Sequence, residues 1–273
     1  MLLVPEIRCK KGDGLFFMDL QSLYQYRYLV WVLVERDIKK KYRRSVLGVL
    51  WSLLNPLMMM SITAMVFSTL FRFDIQNYVL YLLVGQVIFT FYVESTSFAM
   101  GSIMENGSLL RKVSVPKYLF PMSRVISSCV NLLFTLPAVL LIMLCTGQIP
   151  NLSLVSFLLP LACMLLFCFG VGLILSAVVV RFRDMGHLYG VLITALNYAT
   201  PIFYPDTIVP ERYRFILELN PLYYFLKAFR SIVCNGTVPE PGLLAACCGL
   251  AIAFMLVGMY VFNKNENEFI NYI

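Results

Sequence analysis

Few residues of this chain combine a reactive side chain with a setting in which it could act. Glu94 is the one acid inside the otherwise uncharged stretch Tyr78–Met100. An ionisable group in such surroundings is costly unless it meets a partner or water, so it marks a functional position. Two roles fit it: lining a channel entrance, or locking helices together through a salt bridge to Arg124 or Arg111. No second embedded carboxylate accompanies it for acid–base work. His187 is the single histidine and has no metal-spaced neighbours, so no metal site is expected. The sequence lacks G-x-x-x-x-G-K-S/T, H-E-x-x-H and G-x-S-x-G. P-loop, zinc-peptidase and serine-hydrolase chemistry are therefore not expected. Aromatic rings are abundant, with 21 Phe and 16 Tyr. Phe89, Phe91 and Tyr92 sit beside Glu94, Tyr198, Phe203 and Tyr204 follow a later apolar stretch, and Tyr223, Tyr224 and Phe225 come after that. The apolar C–H face of a sugar ring stacks on such rings while its hydroxyls reach water or phenols. The opposing reading is that the rings pack helices and anchor interfaces.

The elements that hold these residues are set by composition. The 273 residues are 60% hydrophobic and only 14% charged, and the mean hydropathy is +0.78. A soluble domain of this length exposes far more charge. The uncharged runs are continuous and do not alternate with period two, which excludes a closed barrel. The net charge of +7 is not a nucleic-acid signature, because the basic residues cluster at the ends of apolar segments. Residues 1–14 lack the apolar core of a signal peptide. Six spans are expected, at about Leu47–Phe71, Tyr78–Met100, two within residues 125–180 broken at Thr146–Asn151, His187–Tyr204 and Gly242–Phe262. Pro56 should kink or unwind the first. Gly186 and Gly190 form a G-x-x-x-G that hints at close helix packing. With this topology 17 of the 22 Lys/Arg lie on the side of the termini, which predicts cytoplasmic N- and C-termini.

Two further elements stand out. Arg36 to Arg44 carry six Lys/Arg and one Asp, and 27 uncharged residues follow. Tyr42 and Trp51 bracket that junction, as amphipathic rings at a lipid–water boundary do. Before it, Leu20, Leu23, Tyr24, Tyr28, Trp31 and Val34 share a helical stripe over residues 15–34, continued by Ile38 and Tyr42. This reads as an amphipathic helix on the membrane surface, with a short span as the rival. Residues 205–240 are too apolar for a solvated loop and too interrupted to span. Leu222, Phe225, Leu226, Phe229, Ile232 and Val233 share one face there, and Asn220-Pro221 divides the segment. A pair of short helices dipping into the membrane fits best, a surface-lying helix being the alternative. The fold expected is thus an all-α integral membrane protein. Residues 1–46 form an N-terminal segment with its interface helix, residues 47–262 a six-helix domain, and residues 263–273 a tail.

The stretch Arg36–Pro56 resembles the interface motif of ABC-2-type permeases that export polysaccharides, the group that includes O-antigen, capsule and wall teichoic acid exporters. The matching residues are Arg36, Asp37, Lys39, Tyr42, Ser45, Leu47, Gly48, Leu50, Trp51 and Pro56. Trp31 belongs to the helix that precedes them. Asn106–Pro116, with Leu109, Leu110, Arg111, Lys112, Val113 and Pro116, is similar to the family's coupling segment. Thr200–Pro205 together with Asn220-Pro221 is similar to its outer gate. The resemblance spans nearly the whole chain in the same order. It implies a homodimer in the bacterial plasma (inner) membrane that works with two copies of a separate ABC ATPase and moves a lipid-linked glycan among the membrane lipids. ATP and Mg would be bound by the partner subunit, with no cofactor on this chain. A permease for smaller lipids or drugs is the nearest alternative, and a membrane-embedded lipid–glycan enzyme a more distant one.

Overall fold

The computed structural model of the protein describes residues 24–43, 45–70, 77–113, 115–148 and 151–269. Most of these residues are helical, with no strand among them. The helices are α1 (Arg27–Tyr42), α2 (Leu50–Leu70), α3 (Tyr78–Glu105), α4 (Gly107–Leu110), α5 (Leu119–Cys145), α6 (Leu158–Arg181), α7 (Met185–Ala199), α8 (Arg214–Leu219), α9 (Pro221–Val233) and α10 (Pro241–Asn265). Five of them, α2, α3, α5, α6 and α10, are long and apolar enough to cross a membrane. The sixth expected span corresponds to α7, whose 15 residues reach about 22 Å, short of a ~30 Å hydrocarbon core. Thr200 leaves the helix in an extended conformation, with ψ 133°.

Helix α3 is the central post. It packs on α2, α5, α6 and α9 and buries Leu80, Leu82, Leu83 and Ile103 completely. Hydrophobicity alone does not drive such contacts in lipid, so close packing and polar contacts must do so. The longest contact joins α6 to α10. A Cβ added to Gly170 would lie 2.5 Å from the Phe254 backbone, and one on Gly258 would collide with the Gly170 carbonyl. The two backbones therefore touch. By contrast, a Cβ on Gly190 meets nothing within 4 Å and one on Gly186 meets only the end of Met100. The G-x-x-x-G motif is not a packing seam within the chain, because α7 lies against the bundle by other residues.

Pro56 does not break its helix. Helix α2 runs through it. Proline cannot donate to the carbonyl four residues back, that of Ser52. The hydroxyl of Thr135 on α5, shared with the Asn131 carbonyl of its own helix at 3.0 Å, reaches that carbonyl at 3.3 Å. Satisfying the freed group from a neighbouring helix is how a membrane helix tolerates proline.

The interface helix departs from expectation in how its faces divide, not in where it ends. It extends through the basic run and ends at Tyr42, with Lys39, Lys40 and Lys41 in its last turn, where cations favour the helix dipole. Val30, Leu33 and Val34 are buried, while Tyr24, Tyr28 and Trp31 are exposed. The apolar residues thus divide between a protein-facing side, packed near Leu119, Tyr118 and Met122, and an open aromatic side. Residues 15–23 of the expected helix, most of the connection at residues 72–77 and the end of the tail, residues 270–273, lie outside the described residues. The rest of the tail is docked: Lys117 donates to the Glu266 carbonyl at 2.6 Å, and Phe269 is buried edge-on to Phe262 at 5.2 Å.

Candidate functional site

The turn from α1 into α2 explains part of the N-terminal motif. Gly48 has φ +49°, a left-handed conformation that costs other residues strain. Its N–H donates to the Ser45 hydroxyl at 3.0 Å. Arg36 and Asp37 hold the helix to the bundle. Arg36 donates to Asn106 Oδ1 at 2.9 Å and pairs with Asp37 at 3.2 Å. Arg124 on α5 pairs with Asp37 at 3.2 Å and with Glu105 at 2.6 Å. Lys39 makes only an exposed pair with Glu35, the kind that contributes little.

Glu94 faces the end of α1. It accepts from Lys41 Nζ at 2.7 Å and from Asn131 Nδ2 at 2.6 Å, and Asn131 Oδ1 accepts from the Tyr42 hydroxyl at 3.2 Å. Its partner is thus neither Arg124 nor Arg111. Arg124 is level with Glu105, about 16 Å further along α3 at 1.5 Å per residue. The Lys41–Glu94–Asn131–Tyr42 cluster ties α1, α3 and α5 together at one mouth of a cavity.

That cavity has a volume of about 480 Å³. Trp51, Tyr42, Phe89, Phe91, Phe203 and Glu94 line it, bringing together six residues that sequence reasoning singled out. It also missed several: Lys41, Asn55, Gln86, Thr90, Asn131 and Asn197 supply much of the polar wall. Lone amides in apolar helices are the signal that could have found them, since polar side chains at membrane depth normally meet a partner or water. Gln86 Nε2 donates to Thr63 Oγ1 at 2.7 Å, fixing α3 against α2. A neighbouring recess of about 340 Å³ adds Tyr198 and shares Phe89, Thr90, Glu94 and Asn197. Amide groups beside open aromatic faces suit a ligand that carries both hydroxyls and C–H surface.

Five rings assigned to this lining are in neither recess: Tyr204, Tyr223 and Tyr224 belong to the segment after α7, and Tyr92 and Phe225 to the core. Tyr92 is buried and stacks on Phe167 at 5.9 Å, and Phe225 is fully buried against the same ring at 5.3 Å. Both point into the core because α3 and α9 turn their opposite faces to the cavity and to the surface.

At the end remote from α1, the chain between α7 and α8 leaves the helix at Thr200 and continues through two short 3-10 turns, Asp206–Ile208 and Glu211–Tyr213. Phe203 stacks on Phe67 of α2 at 5.2 Å. Tyr204 donates to the Tyr198 carbonyl at 2.8 Å. Asn220 caps α9 by accepting from Leu222 N–H, the expected use of Asn before a first-turn proline. The apolar face read from the sequence is the buried face of α9, and Arg230 is buried with it. Burial pushes this guanidinium down to about 10, so it is still a cation at neutral pH. Tyr223 donates to Asp206 Oδ2 at 2.8 Å. Burial and that bond push its phenol up to about 12. Tyr224 donates to the Glu218 carbonyl at 3.0 Å.

The segment after α3 is short and open. Leu109 and Leu110 are half-buried against the core, while Arg111, Lys112 and Val113 are exposed and Pro116 is half-buried. Asn106 is buried and donates to the Ser102 carbonyl at 2.8 Å. Among the described residues no group of three His, Cys, Asp or Glu could hold a metal ion.

Comparison with known proteins adds to this picture. Residues 28–234 match the model of the family described as ABC-2 type transporter. The chain is 31% identical over 252 residues to the O-antigen export system permease protein RfbA of Myxococcus xanthus, covering 92% of this chain and 97% of that one. It is 30% identical over 257 residues to the protein of the same name from Klebsiella pneumoniae, covering 92% and 98%. A more distant relative is the polysialic acid transport protein KpsM of Escherichia coli, 21% identical over 238 residues with 85% and 91% covered.

Proposed function

The chain belongs to the ABC-2 type transporter family, and on that premise we propose that it is the permease subunit of an ATP-driven exporter of a lipid-linked polysaccharide. The observation that carries this reading is the polar and aromatic cavity among membrane-crossing helices, bounded by Glu94 at one end and Phe203 at the other. Its composition suits a sugar chain better than a purely apolar solute. Individually weak stacking contacts let a polymer advance without settling in one tight site. A charge-coupled carrier would instead need several embedded ionisable groups. The similarity to O-antigen permeases over 92% of the chain supports the same substrate class.

The rest of the reading follows from this assignment. ATP and Mg are held by a separate ABC ATPase, present in two copies, and two copies of this chain form the path. The sequence offers no P-loop of its own. Helix α7 with its extended continuation makes the sixth crossing, and α8 and α9 are the outer gate helices. Arg111, Lys112 and Val113, with Leu109 and Leu110 beneath them, form the contact that receives the ATPase stroke, α1 lying alongside. The protein resides in the bacterial inner membrane with both termini in the cytoplasm.

The test is reconstitution of the chain with its ATPase in proteoliposomes. ATP-dependent movement of a lipid-linked O-antigen-type glycan is the expected result. Transport of small amphiphiles without glycan would replace this reading with drug or lipid efflux. Glycosyl transfer by the chain alone would make it an enzyme.

A further inference from the structure

After Thr200, whose N–H makes the last bond of α7 to the Leu196 carbonyl, the segment to Pro205 leaves the helix, yet the carbonyls of residues 201–204 are met by side chains from other elements. Arg230 Nη1 donates to the Pro201 carbonyl at 2.7 Å and Nη2 to that of Ile202 at 2.9 Å. The Tyr78 hydroxyl donates to the Phe203 carbonyl at 2.7 Å and the Tyr81 hydroxyl to that of Tyr204 at 3.0 Å. Asn220 Nδ2 donates to Thr200 Oγ1 at 2.8 Å. No carboxylate lies within ion-pair distance of Arg230 among the described residues; the Tyr81 ring covers its guanidinium at 3.4 Å. Gly85 makes room for it, since a Cβ there would lie 2.9 Å from Nη2. A buried cation held by main-chain carbonyls is a rigid anchor, because leaving it unpaired in this setting is costly. The two phenols differ in kind. Each holds its carbonyl by one neutral hydrogen bond, and both lie beside the residues, Ile202 and Phe203, that close one end of the cavity.

We propose that Thr200–Pro205 is the moving leaf of the outer gate, hinged on Arg230 and Asn220 and latched shut by the hydroxyls of Tyr78 and Tyr81, and that hydroxyl groups of the passing glycan release the latch. The proposal rests on the polysaccharide reading above and adds the residues that set its selectivity. A sugar hydroxyl both donates and accepts. It can take over a Tyr hydroxyl and the freed carbonyl in one exchange, leaving the number of hydrogen bonds unchanged. A solute without hydroxyls cannot do this, and opening for it leaves carbonyls unpaired. Tyr78 and Tyr81 are therefore specificity-determining, and Arg230 is a positioning residue.

The experiment uses proteoliposomes of the chain with its ATPase, loaded with radiolabelled sulfate, an impermeant solute without hydroxyl groups to donate, in the absence of ATP. The double variant Tyr78→Phe/Tyr81→Phe keeps both rings and removes both donors. Its sulfate leak should rise about tenfold, the order expected for two lost hydrogen bonds. Maltohexaose added to wild-type vesicles should raise their leak, polyethylene glycol of similar size should not, and neither should change the leak of the double variant. Arg230→Gln should leak and also lose ATP-driven export, while Arg230→Lys recovers part of both. A folded double variant as tight as wild type overturns the latch, and equal responses to maltohexaose and polyethylene glycol overturn hydroxyl exchange. Failure of the wild type to move any glycan would count against the exporter reading instead, with the leak comparison still reporting on the latch.

Discussion

Arg124 serves two carboxylates from one buried position, Asp37 of α1 and Glu105 of α3. Asp37 is itself only 7% exposed at the side chain. Truncating Arg124 to alanine leaves Asp37 with Arg36 as its remaining cation, and the expected loss is about 1–3 kcal/mol, the cost of removing one partner of a buried polar group. It should appear as early unfolding in denaturant titration of the detergent-solubilised protein, and Asp37→Asn should recover much of it. Glu94 differs because its side chain borders open space. Glu94→Gln should fold normally and cut glycan export at least about tenfold, the default for an embedded acid with a functional role; wild-type export by the variant would leave Glu94 a mere helix lock. Tyr223 titrates far from neutrality. Its native value of about 12 lies above the ordinary 10.0. Its bond to Asp206 is therefore fully present below pH 10 and is lost as pH rises toward 12. Stability should not vary between pH 6 and 9 on its account, as a thermal scan across that range can check. Glu94 was legible in the sequence because a lone acid in an apolar run stands out. Arg230 was not, because nothing local marks a cation whose partners are carbonyls 28 and 29 residues away.

Helices were largely legible from hydropathy and length, and their faces less so. The buried stripe of α9 follows directly from its spacing, since one side meets protein and the other a polar boundary. In α1 the apolar residues serve two sides, and periodicity cannot assign Trp31 to one and Val34 to the other. The same ambiguity placed Tyr92 and Phe225 with the channel rings. The contact between α6 and α10 depends on glycine at both crossing points. Gly258→Val should cost about 3 kcal/mol, the upper range for overpacking, read as loss of the monodisperse peak at lower temperature. The segment from Asn106 to Pro116 makes a different prediction. Leu109→Asp with Leu110→Asp should abolish co-purification of the ATPase, or its stimulated hydrolysis, if that segment docks in a groove on the partner. Unchanged assembly and unchanged stimulation would remove it from the coupling path.

For the molecule as a whole, the distribution of Lys and Arg predicts which end faces the cytoplasm. Cysteine labelling on a background lacking Cys9 and Cys234 checks this directly: a Cys at Asn271 should resist an impermeant reagent, and one at Thr207 should react. Helix α2 is the least buried of the long helices, with 6% of residues Leu50–Phe67 inside the chain. Such a helix is free to meet lipid or a second copy. Cross-linking through Cys substitutions at exposed Met58 and Ile62 should trap the dimer proposed above, and monomers alone would oppose it.

The hydroxyl of Thr135 that covers the Ser52 carbonyl lies 83 residues downstream of it. At about 5–20 residues per second of synthesis, that interval lasts on the order of 4–17 s. During it α2 has emerged with a backbone acceptor that no later helix has yet met. Until Thr135 arrives, that carbonyl depends on water or on a local adjustment of the helix. The proline of the first crossing thus finds its protein partner only once the third has been made.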